Sequence, residues 1–359
     1  MLVLGIETSC DETAAAVVAH TGQASGKVLS NVVATQISKH IPFGGIVPEV
    51  AARAHVENLD SVINQALTHA NVSLKQLSGI AVTAGPGLVG ALTIGLVTAK
   101  TIALVTNKPL IDINHLEGHV LTPRLTDGIP FPYISLLISG GHTQFIVVEK
   151  LGKYIRLGTT IDDALGEAFD KTARLLGAPY PGGCLIEKYA ATGNATRFLF
   201  PRALNIQNNF DFSFSGLKTA VRIAVNKIQP LKSQDIQDLS ASFQAAVTEI
   251  IEIKTCWVLK HFAKQYNLTK PILVPTGGVA ANSAIRKSLQ KACKSVNAQL
   301  VLPPQQLCTD NGAIIAWAGA ERLFANLPCA GMTASARSRW PLDNTTPPKI
   351  GYGRKGAKA

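Results

Sequence analysis

Charge is scarce in this chain. Of its 359 residues only 16% are Asp, Glu, Lys or Arg, 6% are aromatic, and there are 2 methionines. A hydrophobic share of 47% with 30 glycines speaks against a disordered polyelectrolyte and for a folded α/β chain, long enough for two domains. Six cysteines, at 10, 184, 256, 293, 308 and 329, include no Cys-x-x-Cys pair. Neither a disulfide framework nor a sulfur-rich zinc site is therefore expected, and the thiols read as free. No run of eighteen apolar residues is free of charge; the richest, 91–105 and 312–324, carry Lys100 and Glu321 and read as buried helices rather than membrane spans. Met1-Leu2-Val3-Leu4-Gly5-Ile6-Glu7 holds no basic leader and enters a strand at once. A cytoplasmic protein without membrane attachment is the expectation.

What charge there is leans basic: 34 Lys and Arg against 23 Asp and Glu, a formal +11. That permits a polyanionic partner. The excess is spread over Arg197, Arg202, Lys218, Arg222, Lys227 and Lys287, Lys291, Lys294, so it favours nucleic acid only mildly.

Hydrophobic periodicity suggests two halves with one layout. Strands are predicted over 2–7, 14–19, 27–33, 79–83 and 110–113, with helices over 48–69 and 88–105. The second half restarts with a strand over 133–138, a small polar turn and a returning strand over 144–149. Helices over 162–176, 217–227, 236–266, 282–291 and 310–324 and strands over 272–274 and 298–302 follow. A strand, a turn and a returning strand thus occur near 2–19 and again near 133–149. Such a duplicated α/β unit, with both turns facing one cleft, is the arrangement of actin-like (RNase H-like) phosphotransferases. The Pro-rich bend 123–132 breaks helix and strand alike. It sets the expected boundaries: one lobe over 1–125, a second with helical insertions over 126–325, and a terminal segment over 326–359, partly packing back or loose.

His115 and His119 stand four apart in Asn114-His115-Leu116-Glu117-Gly118-His119. On a helix both imidazoles leave one face on consecutive turns, the spacing a divalent ion needs. Two histidines are too few, and Asp310, at the mouth of the last helix, is the natural third ligand. Such a set leaves positions open for water or an anionic substrate and suits zinc or iron(II). The bland reading is a strand cap and a polar filler. Leu116 occupies the place of the general base in a His-Glu-x-x-His protease, and Glu117 faces away.

Three glycine turns point to a nucleotide: Ser139-Gly140-Gly141-His142-Thr143, Pro181-Gly182-Gly183 and Thr276-Gly277-Gly278-Val279-Ala280-Ala281-Asn282. Glycines let backbone amides approach an anion, and the hydroxyls add donors. Asp163, Glu167 and Asp170 share one predicted helix face, either solvent surface or a ribose reader. Asp11 and Glu12 in the first turn either act on water or nucleophile or cap local amides. Gly85-Pro86-Gly87-Leu88-Val89-Gly90, with Asp112 beyond it, matches a dinucleotide fingerprint. Pro86 removes an amide that a pyrophosphate would want, so a dehydrogenase is a poor reading.

Taken in order, several motifs resemble those of the bacterial-type tRNA threonylcarbamoyladenosine transferases, once misnamed O-sialoglycoprotein endopeptidases. They are Gly5-Ile6-Glu7-Thr8-Ser9-Cys10-Asp11-Glu12-Thr13, Pro86-Gly87-Leu88, the 114–119 segment, the 139–143 turn, Asp162-Asp163 through Asp170-Lys171, and Gly277–Asn282. The resemblance runs from Gly5 to about Ala320. It implies one iron or zinc ion, iron favoured, on His115, His119 and Asp310. It places an adenylate on Leu137, Ile138, Ser139, Gly140, Gly141, Asp170, Gly183 and Asn282. The implied donor is threonylcarbamoyl-AMP, and the acceptor is N6 of adenosine 37 in tRNAs reading codons that begin with A. The implied partners are tRNA, a smaller inert paralogue and a small ATPase, with homodimerisation left open. The amine attacks the carbamoyl carbon as AMP leaves; Glu12, Asp11 and His142, in that order, are the candidate bases. The alternatives are a small-molecule kinase of the same architecture and a non-catalytic nucleotide-binding partner protein.

Overall fold

The computed structural model describes residues 1–347; residues 348–359 of the expected terminal segment lie outside them. The first half lays down strands β1 (Leu2–Glu7), β2 (Glu12–Gly22) and β3 (Ser25–Thr35), then a short helix α1 (Ile37–His40) and the long α2 (Pro48–Ala70). Strand β4 (Gly79–Gly85), helix α3 (Val89–Thr106), strand β5 (Leu110–Asn114) and helix α4 (His115–Asp127) follow. The second half opens with β6 (Tyr133–Ile138), β7 (Thr143–Lys150) and β8 (Lys153–Thr159), then α5 (Leu165–Leu175), α6 (Gly183–Ala190), α7 (Ser215–Ile228) and α8 (Ser233–Gln265). It closes with β9 (Ile272–Thr276), α9 (Ser283–Ser295), β10 (Gln299–Leu300) and α10 (Gly312–Phe324).

The strands form two five-stranded mixed sheets, ordered β3-β2-β1-β4-β5 and β10-β9-β6-β7-β8. Read from its other edge, the second repeats the first. In each, the opening hairpin is antiparallel and the later strands add parallel. The chain is thus α/β with a duplicated sheet. Both faces of each sheet are covered, which is why β1 and β6 are apolar almost throughout rather than alternating.

Three cores result. Leu4, Ile6, Ala15 and Val17 pack on Leu59, Val62 and Ile63 of α2 and Leu96 and Ala99 of α3. The far face of the second sheet packs on α5 to α9 through Phe169, Phe243, Val247 and Leu289. Between the sheets, α4 and α10 share a core with both, joining Val3, Ile111, Leu121 and Trp317 to Tyr133, Leu137 and Val274. Helix α10 therefore seats against β1 and β2 although it comes from the end of the chain. Glycine makes this possible: a Cβ on Gly5 would lie 2.3 Å from the Ala316 nitrogen.

The structure departs from the sequence reading in several places. Pro123 lies inside α4, which runs on to Asp127. The Arg124 guanidinium holds that last turn, donating to Glu321 Oε2 at 2.9 Å and to the Ile129 carbonyl at 3.1 Å. Helix α5 begins at Leu165, not 162, because Asp162 accepts hydrogen bonds from Phe214 N–H (2.8 Å) and Ser215 Oγ (2.7 Å) at the start of α7. Strand β8 and helices α1 and α6 were not foreseen. Of the two apolar runs, α10 is buried from Gly312 to Glu321, but α3 leaves Val89, Val97, Leu104 and Val105 exposed. Helix α3 is the only one among the described residues long and apolar enough to cross a membrane.

Candidate metal and nucleotide site

Two helix starts build the metal cluster. Asn114 caps α4, its Oδ1 accepting from Leu116 N–H at 2.9 Å, so His115 is the first helical residue and His119 stands one turn on. Asn311 caps α10, accepting from Ala313 and Ile314 N–H at 2.9 and 3.2 Å. Asp310 is thereby held just off the helix. Packing of α4 on α10 fixes the distance: Gly118 meets Ile314 and Ile315, and Trp317 Nε1–H donates to the Leu121 carbonyl at 3.1 Å.

The two Nε2 atoms converge on one oxygen. His119 Nε2 stands 3.1 Å and His115 Nε2 3.4 Å from Asp310 Oδ1, and the three ligand atoms lie within 4.8 Å of one another. Ligands about 2.1 Å from a common ion sit roughly 3 to 3.4 Å apart, the spacing of each imidazole from Asp310, and two imidazoles with a carboxylate are donors that suit a divalent ion. Glu7, fully buried at the end of β1, orients His115: its Oε2 lies 3.0 Å from Nδ1 and accepts from Thr83 Oγ1–H at 2.5 Å. A carboxylate behind a ligating imidazole fixes its tautomer and raises its basicity. Burial acts to lower His115, but the Asp310 and Glu7 carboxylates outweigh it and hold the imidazole well above its usual range. Asp310 answers in kind: burial would raise it, yet His115 and His119 keep it well below the ordinary carboxylate value.

A cavity of about 950 Å³ opens beside the cluster. Its wall takes Ser9, Cys10, Asp11 and Glu12 from the β1–β2 turn and Ser139, Gly140, Gly141 and His142 from the β6–β7 turn, with His115 and Asp310 between them. Asp170, Glu167 and Gly278 complete it. The second turn is tied internally, His142 N–H donating to Ser139 Oγ at 3.1 Å and Ser139 N–H to the His142 carbonyl at 2.8 Å. A Cβ on Gly140 or Gly141 would meet nothing within 4 Å. These glycines answer to no neighbour and leave room for a ligand.

The remaining expected nucleotide residues do not all reach the wall. Leu137 and Ile138 are core residues of β6. Gly183 opens α6, and Asn282 caps α9 through Ile285 N–H at 3.0 Å; neither lines the cavity. Asp170 lines it while accepting from Gly182 N–H at 2.9 Å. Asp163 is paired with Lys171 at 2.8 Å, away from the wall. Glu117 does face away from the histidines, binding Arg322 Nη1 at 3.0 Å and accepting from Tyr154 OH at 2.6 Å. In the dinucleotide-like turn a Cβ on Gly85 would strike the Arg337 carbonyl at 2.1 Å, and one on Gly87 the Ser9 carbonyl at 2.6 Å. Protein backbone packs closely on Gly85 and Gly87, and Asp112 is engaged by Ala330 N–H at 2.7 Å, so these residues are not free to act as a dinucleotide turn with its ribose acid.

Burial, reinforced by Asp310 and Asp11, pushes Glu12 up to about 10. Burial beside Asp11 likewise pushes the Cys10 thiol well up, which removes it as a nucleophile at neutral pH. The sequence reading missed Glu7 and also Tyr180, which lines the cavity opposite no recognisable motif. An acid closing an otherwise apolar strand was the available signal for Glu7.

Comparison with known proteins decides the family. The model of the family described as TsaD, tRNA N6-adenosine threonylcarbamoyltransferase, matches residues 27–317. The chain belongs to this family. It is 56% identical over 360 residues to the tRNA N6-adenosine threonylcarbamoyltransferase of Rhizobium meliloti and 54% identical to that of Brucella anthropi, each covering 100% of both chains. Among solved structures, HypF of T. kodakarensis superposes with a TM-score of 0.58 at 15% identity, covering 90% of this chain and 48% of that one. The Clostridium difficile activator of 2-hydroxyisocaproyl-CoA dehydratase gives 0.50 at 12%, covering 91% and 97%. These last two share the fold.

Proposed function

We infer that the chain is a transferase that moves the threonylcarbamoyl group of threonylcarbamoyl-AMP onto N6 of adenosine 37 in tRNAs reading codons that begin with A. The observation that carries this is one cavity lined by His115 and Asp310 of the His115, His119 and Asp310 cluster, between an acidic turn and an open glycine turn, in a chain that matches full-length transferases end to end. The two sheets with their helices correspond to two actin-like lobes, and the cavity is the cleft between them. The lobes are taken as 1–125 and 126–325, with α10 packing on the first sheet.

The ion is iron(II) or zinc, the choices a two-histidine, one-carboxylate set suits. His115, His119 and Asp310 would hold it, and it would supply Lewis-acid polarisation and offset negative charge. Glu7 keeps His115 in ligating orientation. The Ser139–His142 turn presents backbone amides to the adenylate phosphate and receives it again as AMP departs. Asp170 borders the nucleoside end, with Gly183 and Asn282 behind it at the starts of α6 and α9. The adenosine amine gives up its proton to the acidic turn. Glu12, Asp11 and His142, in that order, are the candidate acceptors.

The smaller inert paralogue and the small ATPase expected for bacterial members are protein partners. The exposed Val89, Val97 and Leu104 on α3, with Lys100 among them, form a surface such a partner would cover. Mixing labelled donor with unmodified tRNA, with and without those partners, tests the whole reading. Label on adenosine 37 is expected with wild type, falling at least about a hundredfold in His115→Ala and Asp310→Ala together with bound metal. Transfer surviving both substitutions would sink the metal assignment. No transfer by wild type with all partners would favour a kinase or binding role.

A further inference from the structure

Among the described residues the chain beyond α10 joins neither sheet, yet it is pinned along its course. Arg337 N–H donates to the Ala84 carbonyl at 2.8 Å, and the Arg337 carbonyl occupies the space a Gly85 Cβ would need. The Arg337 guanidinium stacks over the Trp340 ring at 4.2 Å. Trp340 in turn accepts, through its carbonyl, a hydrogen bond of 2.9 Å from Asn114 Nδ2, the residue just before His115. Asp343 then accepts from Arg156 N–H of β8 at 2.8 Å, on the other sheet. Between the anchors at 337 and 340 stand Ser338 and Arg339, both exposed and both on the cavity wall.

Lys171, Arg174 and Arg339 are the lysine and arginine side chains of that wall. Lys171 is held by Asp163 at 2.8 Å and Glu167 at 2.7 Å. Arg174 donates to the Gly44 carbonyl. Arg339 makes no hydrogen bond or ion pair with any described residue, although Asp11, Glu12 and Asp310 line the same cavity. Its backbone is fixed on both sides while its guanidinium is left uncommitted. That is how a cation is presented to an anion arriving from outside.

We propose that Arg339 is a positioning residue that takes a backbone phosphate of the acceptor RNA beside the target adenosine, with Ser338 as a neighbouring hydroxyl donor. The proposal rests on the transferase reading above. The donor's phosphate already meets the glycine turn on the opposite sheet. The acceptor is a macromolecule that can send only a base into a cavity of this size, so its phosphates stay at the rim, where Arg339 is exposed. Phosphate contacts of this kind set register and orientation rather than base identity.

The test assays transfer by wild type, Arg339→Gln and Arg339→Lys, varying tRNA and donor separately over a range of salt. Arg339→Gln is expected to raise the tRNA KM roughly tenfold, with donor KM held within about twofold. The slope of log(kcat/KM) for tRNA against log salt should fall by about 0.7 to 0.9. Arg339→Lys should restore most of that slope, because the slope counts charge rather than fork geometry. A tRNA KM and salt slope unchanged in Arg339→Gln would overturn the proposal. A rise in donor KM alone would also overturn it, assigning the guanidinium to the adenylate phosphate. Wild type that transfers nothing would sink the transferase reading; active wild type with an indifferent Arg339→Gln sinks only this one.

Discussion

The β1–β2 and β6–β7 hairpins are the same object built twice, yet they do opposite work. Each joins the central strand of its sheet to the returning strand, with Glu7 opposite Ala14 in one and Ile138 opposite Thr143 in the other. Each points its turn into the cavity. The first carries carboxylates, the second open glycines and a serine. Topology thus decides where a turn lies, and the few residues within it decide its charge. A duplicated fold can present an acidic wall and an anion-accepting wall to one substrate without any change of backbone plan.

Neutralising the acidic turn should do most damage. Asp11→Asn with Glu12→Gln is expected to lower kcat by about 10² to 10⁴, the range of general acid–base catalysis, while donor affinity stays near wild type by calorimetry. Equal losses in kcat and donor affinity would mean the two turns do not divide the labour.

Next comes the carboxylate behind the ligand. Glu7→Gln should weaken metal binding about 10- to 100-fold. It should also flatten its pH dependence. In the metal-free protein His115 is held above its ordinary value, so binding expels a proton, and metal affinity should climb roughly tenfold per pH unit through neutrality. The sign of the folding linkage is opposite. The stability that the raised His115 gives the metal-free protein is complete below about pH 6.5 and fades as pH rises through its folded value. Losing Glu7 lowers His115 and shrinks both slopes, readable by metal titration and thermal unfolding across pH.

The smallest effect belongs to the glycine turn. Gly141→Val adds bulk where no protein atom lies within 4 Å, so it should leave folding stability within about 0.5 kcal/mol. Donor affinity should fall by about 1–3 kcal/mol, the scale of overpacking. A comparable loss of stability would make the glycine structural, like Gly5.

Much of this was legible in the residues. The apolar strands 2–7 and 133–138 coincide with β1 and β6, and the period of α2 emerged nearly to the residue. The histidine spacing brought His115 and His119 together, and Asp310 joined them. What stayed hidden depended on tertiary contacts. Pro123 reads as a breaker, but packing on α10 and the Arg124–Glu321 pair keep the helix going. Asp162 looks like part of its own helix and instead serves α7. Arg339 sits in a loop whose course is written in Gly85 and Asn114, far away in sequence. The outer face of α3 was invisible for a different reason. Its valines and leucines look like core, and only a folded neighbourhood tells which of them lack a cover.

The seat of α10 also sets the order in which the molecule can be made. Its helix supplies the inner cover of the first sheet, and Asp310 stands at its head. A ribosome that has released β1 to α4 has therefore released a sheet with one bare apolar face, and it must finish nearly the whole chain before that face is sealed. The metal cluster is completed in the same late event. Nascent chains of this protein consequently depend on the stretch from Asp310 through α10 twice over, once to bury the earliest strands and once to gain a third ligand. A stalled or truncated product would be left both sticky and unable to hold the ion.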